Sequence, residues 1–386
     1  MLNRMFSILF KVCSITLLCL LTAGSAWAVT YNLRATTGQV VMPDGESVAI
    51  WGFADCGADS TCASNPDARL PGPVLEVPSG ENLYINLKND LPEPVSLMVA
   101  GQSILPTPVG KSYTYEIGPY SSGSYDFTAP RPGTYLYESG TNQAKQVQMG
   151  LYGAIIVRDY PGITYDREYV LLLSDIDPQW HAAVAAGQAY NAIYFNPKYW
   201  LINGKAYPDT KEILAKEGEK VLMRYLNAGS EDHVMIIHGM EQKEVANDGH
   251  PVTYPQRTST VVMNPGQTQD LIINTELLAL NLSSSHTLFD RRLDITNRDK
   301  FPGGMITTVR VIDSAITDIS ILSLPMMSAT EGSRYTYDVL AIDPNNLSGP
   351  VTYTLSSAQS GMTIDSDGRI SWIPAEGSPG GVYPVT

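Results

Sequence analysis

The sequence predicts an all-β chain built from β-sandwiches in tandem, and three observations carry that prediction. Short runs of alternating apolar and polar residues, "NLYINLKN", "SYTYEIG", "SYDFTAP", "KVLMRYLN" and "QDLIINT", follow one another between Tyr31 and Asp313, separated by turns rich in Gly, Pro, Asn and Ser. Helical signals are confined to two short stretches. One strand motif also recurs. "GENLYINLKN" from Gly80 and "GEKVLMRYLN" from Gly218 share Gly-Glu, alternating apolar positions and a closing Asn at a spacing of 138 residues, which also relates Gly101 to Gly239. A repeat of this length in a strand-rich chain implies two similar sandwiches in succession.

Taken in order, the chain opens with Arg4 and Lys11, an apolar run "VCSITLLCLL" and the small-residue segment "AGSAWA". This is the pattern of a secretory leader, read as residues 1–28 and removed on export. The run is too short to span a bilayer, and no later segment approaches the roughly 20 apolar residues a spanning helix needs. The leader carries two of the 25 basic residues and none of the 39 acidic ones, so the remainder has a formal charge near −16. A surface of that sign repels nucleic acid and anionic membranes. The expectation is a secreted protein with no nucleic-acid partner and no membrane span in its mature form.

Residues 29–160 and 161–315 are expected to form the two sandwiches, and 316–386 a third module. In "DCGADSTC", Cys56 and Cys62 sit in a Gly/Asp/Ser loop of a chain bound for an oxidising compartment, so they are expected to form a local disulfide. A metal site is disfavoured there, because a cysteine pair without histidine lacks a full ligand set. The clearest helix is "DPQWHAAVAAG", with Asp177 as N-cap, Pro178 at the first helical position and Gly187 closing it. A second short helix is expected in "TELLALNL".

Common catalytic signatures are missing from the sequence. It contains no Gly-x-Ser-x-Gly elbow, no His-Glu-x-x-His and no phosphate-cradling Gly loop. Of the five histidines, His181 on the helix, His250 in a turn and His286 after a Ser run are expected to face solvent or cap, lacking identifiable catalytic partners. His233, Met235, His238 and Met240 crowd one segment, and a soft His/Met set suits Cu(I). On a strand, however, His233 and Met235 face one side while His238 and Met240 face the other.

The landmarks "PGPVLEVPSGENLYINLKNDLPEPVSL", "PGTYLYESGT", "GLYGAIIVRD", "LINGKAYPD", "NAGSEDHVMIIHGM", "DGHPV", "NPGQTQDLI" and "FPGGMITTVRV" occur in an order that resembles the multicopper oxidases. The resemblance runs from about Arg69 to Val311 and implies Greek-key sandwiches of the cupredoxin type. It also implies where copper ligands would lie. In that family four His-x-His pairs hold a three-copper cluster that reduces oxygen, and a mononuclear copper bound by cysteine and histidine takes electrons from the substrate. The four pairs fall here on Met98 and Ala100, Glu138 and Gly140, Ile236 and His238, and Phe289 and Arg291, so seven of eight ligand positions are not histidine.

His233 matches a ligand of the mononuclear copper, but no cysteine follows Cys62, and blue-copper chemistry requires a thiolate. The resemblance therefore leads to a non-catalytic structural or binding module with no cofactor. The competing reading is a copper-binding oxidoreductase with a reduced or displaced site at His233 and His238. An ion pair among Glu138, Asp290 and Arg291 is expected to fill the space left by the metal.

The last region, through "AIDPNN" with "VTYTL" and "GMTIDSDGRISWIP", resembles Ig-like, cadherin-like surface modules. Asp343, Asn345 and Asn346 are weighed as a calcium site against a plain turn, and the turn is favoured. Such modules continue beyond "GVYPVT", so an incomplete module with a strand edge open to pairing is expected. Extracellular or cell-surface proteins are the expected partners.

Overall fold

A computed structural model describes residues 28–102, 115–128, 130–158, 162–275, 283–323, 328–347, 351–356, 358–366 and 368–377. The leader up to residue 27, most of "TELLALNL" and the terminal "GVYPVT" lie outside the described residues. Alternation in the sequence becomes burial in the structure. In β4 (Asn82–Asn89) Leu83, Ile85 and Leu87 point inward and the residues between them are half-exposed.

Strand β4 lies between β1 (Ala28–Val41) and β6 (Ser121–Phe127), and β2 (Ser47–Asp55) pairs with the far side of β1. Strand β1 thus begins on Ala28, the last residue assigned to the leader. The facing sheet runs in the order β3 (Leu75–Val77), β8 (Tyr152–Val157), β7 (Gly133–Glu138), β5 (Met98–Val99). Phe53 and Ile85 from one sheet pack with Tyr137 and Ile155 from the other in a single core.

The same plan recurs downstream. One sheet runs β10 (Tyr199–Ile202), β9 (Arg167–Ile176), β12 (Lys220–Asn227), β18 (Thr268–Asn274), β14 (Gln242–Asn247), β15 (His250–Pro251), with β16 (Arg257–Thr258) also on β14. The other runs β11 (Ile213–Lys216), β20 (Ile306–Ile312), β19 (Ser283–Asp290), β13 (His233–Ile237), β17 (Val261–Met263). Met223, Tyr225, Met235 and Leu271 belong to its core.

The internal repeat is physical. Ala28 pairs with Asn82 and Arg167 with Val221, both in parallel ladders, so each opening strand meets a partner 54 residues later. The closing Asn of each motif does one job twice. The Asn89 amide accepts from the Leu91 N–H at 2.9 Å and donates to the Glu93 carbonyl at 2.9 Å. The Asn227 amide accepts from Gly229 at 2.9 Å and donates to Glu231 at 2.8 Å. An amide side chain can do this because it carries its donor and its acceptor on separate atoms. Gly101 and Gly239 follow β5 and β13 at φ +81° and +80°, conformations that favour glycine.

Helix α2 (Pro178–Ala185) forms as expected, with the Asp177 carboxylate accepting from the N–H groups of Gln179 and Trp180. Helix α1 (Gln143–Met149) was not expected. It is short, has no acidic residue in its first turn, and is held by tertiary bonds: the buried Gln146 donates to Glu93 and to the Pro94 carbonyl. "SYTYEIG" supplies no strand among the described residues. Ile117 makes an isolated bridge to Val95, and the carbonyls of Ile117 and Gly118 also accept from the Asn89 amide.

Cys56 and Cys62 are disulfide-bonded. Beyond β20 the described residues form two small sheets, β21 (Ser320–Ile321) with β23 (Ala341–Ile342), and β22 (Tyr335–Asp338), β25 (Arg369–Trp372), β24 (Thr363–Ile364). Ile342 and Leu347 pack on Ile312 of β20, and the Asp343 carboxylate accepts from the Asn345 N–H as in a turn. No helix among the described residues is long and apolar enough to cross a membrane.

The two sandwiches meet on a buried polar knot. The Thr134 hydroxyl on β7 donates to Asp270 on β18 at 2.6 Å and accepts from Arg224 on β12 at 2.8 Å. Arg224, 1% exposed, also bonds Asp270 at 3.1 Å and Glu168 at 3.0 Å. Around it Leu136, Val147 and Tyr152 of the first sandwich pack on Leu172 and Leu226 of the second. Removing one partner of a buried ion pair strands the other, so Arg224→Met should lower stability by about 3–5 kcal/mol in urea unfolding. The double variant Arg224→Met/Asp270→Leu should recover more than half of that loss.

Candidate functional site

Register decides which candidate residues meet. Met98 stands opposite Glu138 across β5 and β7, and Ile236 stands opposite Phe289 across β13 and β19. Two places, one per sandwich, therefore bring together Met98 with Glu138 and Ile236 with Phe289.

In the first sandwich Met98 and Glu138 meet Gln143 at the start of α1. The Gln143 amide donates to the Glu138 carboxyl at 3.2 Å and contacts the Met98 sulfur at 3.9 Å. Burial pushes the Glu138 carboxyl up to about 7, with the Gln143 bond opposing. Ala100 lies outside this group, on the wall of a hollow of about 430 Å3 also lined by Gly101, Tyr135 and Asp248. Gly140 is buried in the bend after β7.

In the second sandwich Ile236, His238 and Arg291 line an open cleft of about 390 Å3 with Met240, Glu241 and Thr260. His238 and Arg291 are exposed there. The donor set is one imidazole beside a thioether, with an aliphatic chain and a guanidinium where further imidazoles would be needed. These residues do not fit a three-copper cluster, which takes its ligands from histidine pairs.

His233 is not in that cleft. It alternates with Ile236 on β13, so its ring turns inward and is fully buried. His233 and His238 therefore do not converge. The His233 ring instead meets Asp290, with Nδ1 2.9 Å from Oδ2, and Asp294 Oδ2 lies 3.9 Å from the same nitrogen. The other Asp290 oxygen accepts from the N–H groups of Val234 and Arg292. Burial works against the Asp290 charge, but His233 and those N–H groups hold its pKa below the usual carboxylate value. Burial and the neighbouring Asp290 charge push Asp294 up to about 7. Asp175 on β9 is pushed up to about 6 by burial, with His233 the main opposing influence.

Several expectations are corrected here. No ion pair joins Glu138, Asp290 and Arg291 among the described residues: Glu138 bonds Gln143 and Asp290 bonds His233, while Arg291 lies beyond the end of β19 on the exposed side. His181 and His286 are buried, not solvent-facing. The His181 Nδ1 meets the Ala49 carbonyl at 2.7 Å, and His286 lies between the Ser284 hydroxyl and the His238 carbonyl. His250 is exposed as expected, 3.2 Å from Arg131.

Sequence reading passed over Asp175 and Asp294. The available signal was an acid near the end of an apolar strand run, as in "LLLSDI" around Asp175. Asp294 gave none, because it lies in the turn that follows β19.

A family model described as multicopper oxidase matches residues 54–162. Copper resistance protein A of Escherichia coli is 26% identical over 341 residues, covering 74% of this chain and 54% of that protein. A multicopper oxidase of Mycobacterium tuberculosis is 24% identical over 236 residues, covering 53% of this chain and 46% of that protein. The chain thus spans about half the length of these curated relatives. Among solved structures, a blue copper oxidase from Nitrosomonas europaea superposes with a TM-score of 0.61 at 24% identity, covering 74% of this chain and 86% of that one. At that identity the likeness establishes the cupredoxin-type fold.

The raised Glu138 pKa has a measurable consequence. An unfolded chain releases this proton near 4.5 and the folded one near 7, so the carboxyl costs nothing below about pH 4.5 and destabilises increasingly up to about 7. Stability should therefore fall as pH rises through that window. Glu138→Gln should remove this part of the fall, gaining at most roughly 3 kcal/mol at pH 8 and nothing at pH 4.

Proposed function

We propose, from the premise that this chain is a protein of the multicopper oxidase family, that it is an exported, non-catalytic member acting as a structural or binding module at the cell surface. The reading takes residues 1–28 as the leader, 29–160 and 161–315 as the two cupredoxin-like domains, and 316–386 as an Ig-like module. One observation carries it. The two places where paired strands bring the family's ligand positions together hold Met98, Glu138 and Gln143 in one sandwich, and Ile236, Phe289, Arg291 and a lone His238 in the other.

The cysteines support the same reading. Cys56 and Cys62 are tied to each other, so neither offers the thiolate that a blue copper needs. Oxygen reduction by the family's route requires the cluster and the electron-entry copper together. A copper held by His233 and His238 alone is disfavoured by geometry, since one ring is buried against Asp290 and the other is exposed in a cleft.

The test is metal analysis, visible absorption and phenol oxidation on mature protein expressed in copper-replete medium. The expected outcome is at most one copper per chain, no blue thiolate band and no turnover. Three or four coppers per chain with oxidation of a phenol would overturn the proposal.

A further inference from the structure

Five buried polar atoms lack a hydrogen-bond partner among the described residues, and three of them are Asp175 Oδ1, His233 Nε2 and Asp294 Oδ2. Buried polar atoms are nearly always satisfied, so three in interacting groups call for a physical cause. The geometry around them is that of a ligand set. His233, Asp290 and Asp294 each present one donor atom, and all three atoms lie within 4.8 Å of one another. Asp294 Oδ2 stands 3.9 Å from His233 Nδ1 and 4.0 Å from the Arg292 Nε, too far to bond either.

Two of the three side chains are already fixed. His233 is fully buried on β13, and the Asp290 carboxylate is oriented by the N–H groups of Val234 and Arg292. Asp175 is 3% exposed, and its Oδ2 is anchored by the N–H groups of Ser230 and Glu231, in the turn just before His233.

We propose that His233 Nδ1, Asp290 and Asp294 form a site for one borderline divalent cation of the Zn2+ class. A zinc ion held at about 2.0–2.2 Å by one imidazole nitrogen and two carboxylate oxygens replaces the proton between His233 Nδ1 and Asp290 Oδ2, now 2.9 Å apart, parts those atoms slightly and draws in the Asp294 side chain. Two carboxylates neutralise the dication, and the cation relieves the repulsion between them. The set has no thiolate, so it is unsuited to blue copper and suited to a redox-silent ion. The site lies on the inward side of β13, apart from the cleft at His238, and the inference stands whether or not the chain is catalytic.

The experiment uses the full exported protein, stripped with EDTA and titrated with ZnCl2 by calorimetry, with thermal unfolding in parallel. Wild type is expected to bind one Zn2+ per chain and to melt at higher temperature with the ion than in EDTA. Asp294→Asn should weaken binding by more than the roughly 10- to 100-fold that losing a supporting hydrogen bond costs. Its melting temperature in EDTA should stay close to wild type, because Asp294 is partly exposed. His238→Ala should bind as wild type does. Co2+ used as a spectroscopic probe should give ligand-field bands that Asp294→Asn abolishes, and Asp294→Glu, which keeps the charge, should shift them if the Asn variant does not fold. Zn2+ affinity unchanged by either Asp294 variant, or lost in His238→Ala instead, would overturn the proposal.

Discussion

The structure depends on one buried guanidinium. Arg224 is placed on β12 where the second sandwich meets the first, and its partners come from three strands: Thr134 on β7, Asp270 on β18 and Glu168 on β9. Burial raises the Asp270 pKa against the pull of Arg224 and the Thr134 hydroxyl. For Glu168 burial pushes the same way, but Arg224 with Arg158 prevails and holds it low. Arg158 follows β8 and also reaches Glu76 at 2.8 Å, so the charges continue from the interface to the edge of the first sandwich. A purely apolar interface would tolerate sliding, whereas a guanidinium with a fixed fork of donors does not.

That fixed interface explains how one scaffold keeps its shape while its candidate site varies. Both sandwiches take their stability from inward-facing strand positions and from asparagines that pin the turn after the repeated strand. Met98, Ile236 and Phe289 are only partly buried. Changes there alter the chemistry on offer without opening a cavity in the core, because the large cavity costs fall on fully buried side chains.

His233, Asp290 and Asp294 present the contrasting case. They sit on the inward face of the same strands or just beyond it, where polar groups must be matched or they destabilise the fold. One place on β13 thus combines, a few residues apart, an open cleft indifferent to its lining and a buried cluster that is not. The alternation of a strand is enough to separate them.

The sequence by itself determined the strand class, the tandem repeat, the disulfide and the helix capped by Asp177, because each rests on short-range patterns: alternation, a recurring motif, a local loop and an N-cap. The likeness to copper oxidases was legible in the order of its landmarks. Tertiary structure decided the rest. Helix α1 exists through bonds from Gln146 to residues 52 and 53 positions away. His181 and His286 are buried because another strand or turn brings a carbonyl to each ring. Asp290 chose His233 over Arg291 because antiparallel pairing puts Asp290 beside β13 with its side chain inward. Such choices depend on which residues distant in sequence share a face, and that is settled only when the strands have found their register.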